Sequence, residues 1–223
     1  LFGVNAELLI DHAWGQEPCS MKDVKSYKPA SNSLGSGQVL QEPYPFEKAK
    51  LIAREMIALL VLDLVEKALA TDQIVMTIGY DRENLKDPQQ RKKYRGEITV
   101  DHYGRYIPKH AHGTANLGRH TSSTKLIMDA AMELFDRIAD ENLLVRRVNV
   151  TANHVVDEST VPEEATEQLD LFTNYEAVQK KETEESAELA RERNRQKAVI
   201  QITKKYGKNA ILKGMNFEDG AMT

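Results

Sequence analysis

The sequence predicts an α+β fold, a four-stranded antiparallel sheet backed by two helices in the chain order β-α-β-β-α-β, with a short helix before it and a helical tail after. Three observations lead there. Apolar residues recur at helical spacing in two long stretches, 46–70 and 121–141. Residues 74–81 and 97–103 alternate apolar and polar, as half-buried strands do. Turn-forming residues separate these stretches.

Taken in order, Asn5 to Trp14 has helical spacing at Ala6, Leu9, Ile10 and Ala13, and Gly15 and Pro18 end it. Tyr27 to Gly37, rich in Pro, Ser, Asn and Gly, reads as a linker into a short strand at Ser36 to Gln41. Phe46 to Ala70 forms a long helix through Ala49, Ile52, Ala53, Met56, Leu60, Leu64 and Ala68. In the next strand Ile74, Met76, Ile78 and Tyr80 alternate with Val75, Thr77, Gly79 and Asp81. After a polar loop with Arg91, Lys92, Lys93 and Arg95, Glu97 to Tyr103 alternates again and is the expected antiparallel partner. Thr121-Ser122-Ser123 can cap a helix reaching Glu141, with Ile127, Ala130, Ala131, Leu134, Phe135 and Ile138 on its apolar face. Leu143 to Thr151 is the last strand, and Lys180 to Tyr206, stopped by Gly207, is the tail helix.

This order is ferredoxin-like, and a sheet backed by helices on one side leaves its other face open. In the last strand Leu144, Val148 and Val150 are expected to face the helices, and Val145, Arg147, Asn149 and Thr151 the open side. Thr77 and Thr99 are expected to join them. A polar face with a guanidinium and no aromatic platform suits phosphate contact better than stacking of single-strand bases.

Composition narrows the classes. The 223 residues can bury a core, while 29% charged residues and a mean hydropathy of −0.52 place part of the chain outside it. The apolar run Met56 to Leu62 is too short to cross a bilayer, and no secretory leader is legible, so no membrane partner is expected. With Leu1 at its start, the sequence is expected to be a piece of a longer, cytoplasmic chain. The lone Cys19 closes no internal disulfide and agrees with a reducing compartment. The net charge of −4 conceals a division. His102 to Met128 contains no acid but has Arg105, Lys109, Arg119 and Lys125, with His102, His110, His112 and His120, and favours an anionic partner. Asp157 to Glu188 is strongly acidic, through residues such as Glu163, Glu164, Glu167, Asp170, Glu182, Glu184 and Glu185, and would repel nucleic acid.

Gly113-Thr114-Ala115-Asn116-Leu117-Gly118, Thr121-Ser122-Ser123-Thr124-Lys125-Leu126 and Leu144-Val145-Arg146-Arg147-Val148-Asn149-Val150 together resemble the little-finger domain of Y-family translesion DNA polymerases, in the bacterial ImpB/MucB/SamB branch. Leu1 to Pro18 is similar to the end of that family's thumb. The resemblance implies a domain that grips duplex primer-template DNA by its backbone without reading sequence, in DNA repair and the SOS damage response. It implicates Ser36, Gly37, Arg105, Arg146 and Arg147. Lys109 and Arg119 join them from the acid-free run, and Asn149 and Thr151 from the open face.

Gln168-Leu169-Asp170-Leu171-Phe172 resembles the bacterial pentapeptide that inserts into a cleft on the sliding clamp. Physically it is an apolar plug in an acidic stretch, which needs some surface to cover it, on a partner or on its own domain. The expected organisation is therefore 1–26 end of thumb and tether, 27–155 little finger, 156–185 acidic linker with the clamp motif, and 186–223 helical tail. Further damage-response proteins are additional candidate partners.

Other features are weaker. The histidines lack the Cys or spaced carboxylates of a metal site, so no metal is expected. Gly113 to Gly118 lacks the Lys and Ser/Thr of a phosphate loop and reads as a plain loop. Arg91 to Arg95 reads as a solvated loop. Asp81, Asp101 and Asp157 form no pair able to hold two metals, so no catalytic residue is assigned, and Mg2+ is expected only in a palm outside this chain. Two alternatives stay open: a stand-alone ferredoxin-like domain binding protein or RNA, and a small metalloenzyme built on the histidines.

Overall fold

The structure is a computed structural model that describes residues 3, 5–27, 32–86, 88–161 and 175–222. It divides into two compact units, Leu1–Ser31 and Asn32–Thr223.

The first unit holds α1 (Asn5–Ala13) and α2 (Met21–Ser26), and no residue of either helix is buried. Helix α2 lies in the stretch read as a tether. Its start is fixed by a capping box: Ser20 Oγ accepts from Asp23 N and the Asp23 carboxylate accepts from Ser20 N at 2.9 Å.

The second unit carries the expected β-α-β-β-α-β order. Its long strands are β1 (Leu34–Tyr44), β2 (Leu69–Tyr80), β5 (Ala111–Thr121) and β6 (Val145–Asn153), in the sheet order β1-β6-β2-β5 with every pairing antiparallel. The last strand inserts between the first two, so each β-α-β unit is split by a strand of the other. A two-residue strand, β7 (Val156–Asp157), extends β2 at Leu69 and Ala70. A short helix α4 (Pro88–Lys93) follows β2. Helices α3 (Phe46–Glu66) and α5 (Thr124–Ile138) cover one face, and Phe46 meets Phe135 edge-to-face at 5.2 Å. Between helices and sheet lies one core of Leu40, Ile52, Ile57, Leu64, Ile74, Met76, Ile78, Ile127, Leu134, Phe135, Val145, Val148 and Val150, each at most 1% exposed.

Three expectations about the sheet are corrected. Glu97 to Tyr103 is not the partner of β2. Its β3 (Ile98–Val100) pairs instead with β4 (Tyr106–Pro108) in a separate hairpin, and Thr99 is absent from the open face. The partner of β2 is β5, the stretch read as a plain loop. Its core-side positions, Ala111, Gly113, Ala115 and Leu117, are mostly small, so the alternation carries little hydrophobic signal. Gly113 is small for a reason: a Cβ there would lie 2.8 Å from Ile138 Cγ2 and 2.9 Å from Leu134 Cδ1, where α5 rests on the sheet. Finally, Val145 points into the core, because β6 has an extra residue between Val145 and Arg147 against Tyr80 and Gly79 of β2, while β1 shifts register over the same stretch between Val39 and Tyr44, and the side-chain alternation slips there.

Boundaries move as well. Helix α3 ends at Glu66, because Ala68 takes the left-handed conformation (φ 54°) that closes helices and β2 begins at Leu69. The tail helix α6 (Tyr175–Tyr206) starts inside the stretch assigned to the linker. It is fastened to the start of α5. Ser123 Oγ accepts from Leu126 N as the N-cap and donates to Glu192 Oε2 at 2.7 Å, and Lys125 N donates to Glu192 Oε1 at 3.1 Å. The Glu192 carboxylate thus sits on the positive end of α5. Gln196, buried, donates to Ser122 O (3.0 Å) and Thr124 Oγ1 (2.9 Å), and Arg193 pairs with Glu158. Beyond the helix, buried Glu55 of α3 accepts from Asn216 Nδ2 at 2.6 Å and Met222 N at 3.0 Å, holding the C-terminal strap on the domain.

Candidate nucleic-acid interface

The antiparallel registers fix which side chains share the open face. Rows run across β1, β6, β2 and β5: Gly35–Thr151–Val75–Thr114, then Gly37–Asn149–Thr77–His112. Towards one end Val39, Arg147 and Gly79 align. Towards the other, Asn153, Gln73 and Asn116 do. Residues of opposite parity, such as Val148, Val150, Met76 and Ile78, fill the core.

This face is a hydrogen-bonded polar lattice. Gln73 Nε2 donates to Asn116 Oδ1 (2.9 Å) and Gln73 Oε1 accepts from Asn153 Nδ2 (3.1 Å), linking three strands. Thr77 Oγ1 meets His112 Nδ1 at 2.8 Å, and Arg147 Nε donates to Asn149 Oδ1 at 3.3 Å. The rows contain no carboxylate, and Arg147, exposed, faces no acid among the described residues. Side chains cross-linked in this way present amides, hydroxyls and one cation on fixed strands, a surface able to meet phosphate oxygens without a pattern specific to any base.

Of the residues read from sequence, Gly37, Arg147, Asn149 and Thr151 come together on this face. Ser36 does not, because it pairs with Val150 and shares the helix-side parity. Arg146 turns to the sheet edge, where Nη1 donates to Gln41 O (3.0 Å) and Nε lies 3.7 Å from Asp81. Arg105 and Lys109 belong to the β3–β4 hairpin and are neutralised by acids just outside the acid-free run, Arg105 by Asp101 at 2.6 Å and Lys109 by Glu97 at 2.6 Å. The Arg105 guanidinium, helped by the backbone N–H groups of Arg105 and Tyr103, holds the Asp101 carboxyl below the usual carboxylate range. Arg119 is half-buried beyond the left-handed Gly118, where β5 shifts register. Gln168, Leu169, Asp170, Leu171 and Phe172 lie outside the described residues.

Gln73, Thr114, Asn116 and Asn153 were missed by sequence reasoning, and His112 was legible only as a member of the acid-free run. The period-2 pattern Ala-His-Gly-Thr-Ala-Asn-Leu over 111–117 was the one signal for Thr114 and Asn116. The histidines disperse: His112 bonds Thr77, while His154 Nδ1 lies 2.8 Å and His120 Nε2 3.9 Å from the Asp72 carboxylate. Among the described residues no three His, Cys, Asp or Glu side chains converge as metal ligands, and no helix is long and apolar enough to cross a membrane.

A family model described as the impB/mucB/samB family C-terminal domain matches residues 31–171. Among solved structures, a complex of beta-clamp processivity factor and little finger domain of PolIV aligns at 10% identity and a TM-score of 0.36, covering 64% of this chain and 100% of that one. A post-insertion binary complex of Dbh DNA polymerase aligns at 12% identity and 0.31, covering 68% and 36%. An insertion ternary complex of the same polymerase aligns at 15% and 0.28, covering 68% and 35%. The chain thus spans about a third of the Dbh polymerase chains it matches. No curated protein matches it. With a family model running from residue 31 to 171 across the whole split-βαβ sheet, this chain belongs to the impB/mucB/samB family and carries its C-terminal domain.

Proposed function

We propose that this chain is the DNA-holding and clamp-docking C-terminal region of a translesion DNA polymerase, that its open sheet lies along the backbone of duplex primer-template DNA, and that Gln168 to Phe172 docks on a sliding clamp. The observation that carries the DNA reading is the acid-free polar lattice of β1, β6, β2 and β5 with Arg147 exposed upon it. Such a face reads no bases, which is what a polymerase crossing damaged templates needs. The DNA-contacting set is Gly37, Arg147, Asn149 and Thr151, extended by Gln73, Thr77, His112, Thr114, Asn116 and Asn153. Chemistry belongs to a palm elsewhere in the parent protein, with its Mg2+, and the parent works in the cytoplasm, where damage-response proteins are further partners.

The test is duplex binding across a salt series. Arg147→Ala lowers the magnitude of the log K against log salt slope by about 0.9, the value for one phosphate contact. Salt-insensitive binding, or an unchanged slope in the variant, removes the sheet from the DNA.

A further inference from the structure

The β3–β4 hairpin, inserted between β2 and β5, keeps outside the core what a folding element would put inside. Tyr103 is 77% exposed, Val100 58% and Tyr106 57%. Val100 pairs directly with Tyr106 across the ladder, and the hairpin is anchored beneath by buried Pro108 and half-buried Ile107. A two-stranded ribbon this short is marginal by itself, and rings left this uncovered contribute little by hydrophobic burial.

Each ring is also held in place by a cation. The Arg105 guanidinium lies 4.8 Å from the Tyr103 ring centroid and that of Arg91 5.4 Å from Tyr106, while His102 meets Tyr103 edge-on at 5.6 Å. Arg91, Lys92 and Arg95 are exposed and pair with no acid among the described residues. The result is a pair of ordered aromatic platforms with a cationic rim, the chemistry absent from the open sheet. Duplex DNA keeps its base faces stacked against one another, so rings presented this way find partners only on unpaired bases.

We propose that Tyr103 and Tyr106 form a stacking site for single-stranded nucleic acid, with Arg91, Lys92 and Arg95 holding the phosphates around it. The site goes beyond duplex binding by the sheet and stands whether or not that reading survives.

The test is fluorescence anisotropy of the full 223-residue chain with two probes, a fluorescein-labelled oligothymidylate and a mixed-sequence duplex. The double variant Tyr103→Ala/Tyr106→Ala weakens oligothymidylate binding about tenfold or more, since stacking of one base on one ring accounts for about 1–3 kcal/mol, and leaves duplex binding within about twofold. Tyr103→Phe/Tyr106→Phe keeps the rings and retains single-strand affinity within about twofold on the same ground. Arg147→Ala, which tests the sheet, leaves oligothymidylate binding unchanged. The proposal is overturned if the unchanged chain does not bind oligothymidylate at low salt, or if the alanine variant binds it equally well, which assigns the face to a protein partner. Loss in the phenylalanine variant as large as in the alanine variant, or equal loss of both probes, overturns it too.

Discussion

Gly113→Ala tests how tightly α5 rests on the sheet. The new methyl would sit 2.8 Å from Ile138 Cγ2 and 2.9 Å from Leu134 Cδ1, well inside the 3.5–4.0 Å at which carbon atoms attract. Leu134 is 1% exposed and has nowhere to turn, so relief requires α5 to lift from β5. Overpacking of this kind costs about 1–3 kcal/mol. Replacing Gly in a strand returns about 0.4–1 kcal/mol by restricting the unfolded chain. At the middle of each range, about 2 and about 0.7 kcal/mol, the net is a loss of about 1.3 kcal/mol, which at an m-value of about 2 kcal/mol/M lowers the urea midpoint by about 0.6 M with m unchanged. Far-UV circular dichroism is the proper readout, because the only Trp, Trp14, belongs to the other unit. Gly37→Ala is the control. Its added carbon meets Asn149 Oδ1 at 2.5 Å, but that atom ends a side chain on the open face and can swing into solvent, so the cost stays under about 0.5 kcal/mol. A Gly113→Ala protein as stable as the unchanged one, or a larger loss at Gly37, would show that the packing of α5 on β5 does not dictate Gly113.

Three further outcomes are expected. Calorimetric titration into purified bacterial sliding clamp gives an affinity on the order of micromolar, and Leu171→Ala/Phe172→Ala removes several kcal/mol while leaving duplex binding intact; equal affinities would make Phe172 a packed residue of the tail. The purified chain extends no primer with or without magnesium, and template-dependent incorporation by a clean preparation would contradict its assignment as a non-catalytic region. The Asp101 carboxyl titrates below its ordinary 3.8, Arg105 being the main cause. A depressed folded value means that the stabilisation is complete above 3.8 and is lost as pH falls through the depressed value, so the hairpin loosens only in strong acid. An NMR-detected midpoint at or above 3.8 in the folded chain, or no downward shift relative to Arg105→Ala, would dissolve the pair.

Local periodicity made much of this architecture legible in advance. The 3.6-residue repeats of α3 and α5 and the alternation of β2 and β6 are properties of neighbouring residues, so the sequence alone determined these elements, their order and the polar character of β6 at Asn149 and Thr151. It also determined, through its motifs, the family later matched over 31–171. Three things depended on contacts between distant segments and were decided only by the tertiary structure. Which stretch pairs with β2 was one: the alternation at 97–103 is stronger than that at 111–117, yet only the latter has small residues where Leu134 and Ile138 press on the sheet. The slip of alternation at Val145 was another, because a bulge exists only relative to its partner strands. The third was the state of the cations. Arg105 and Lys109 look free in a window without acids, but folding sets Asp101 and Glu97 against them, and leaves Arg147, on a lattice built from four strands, as the guanidinium presented to solvent on the open face.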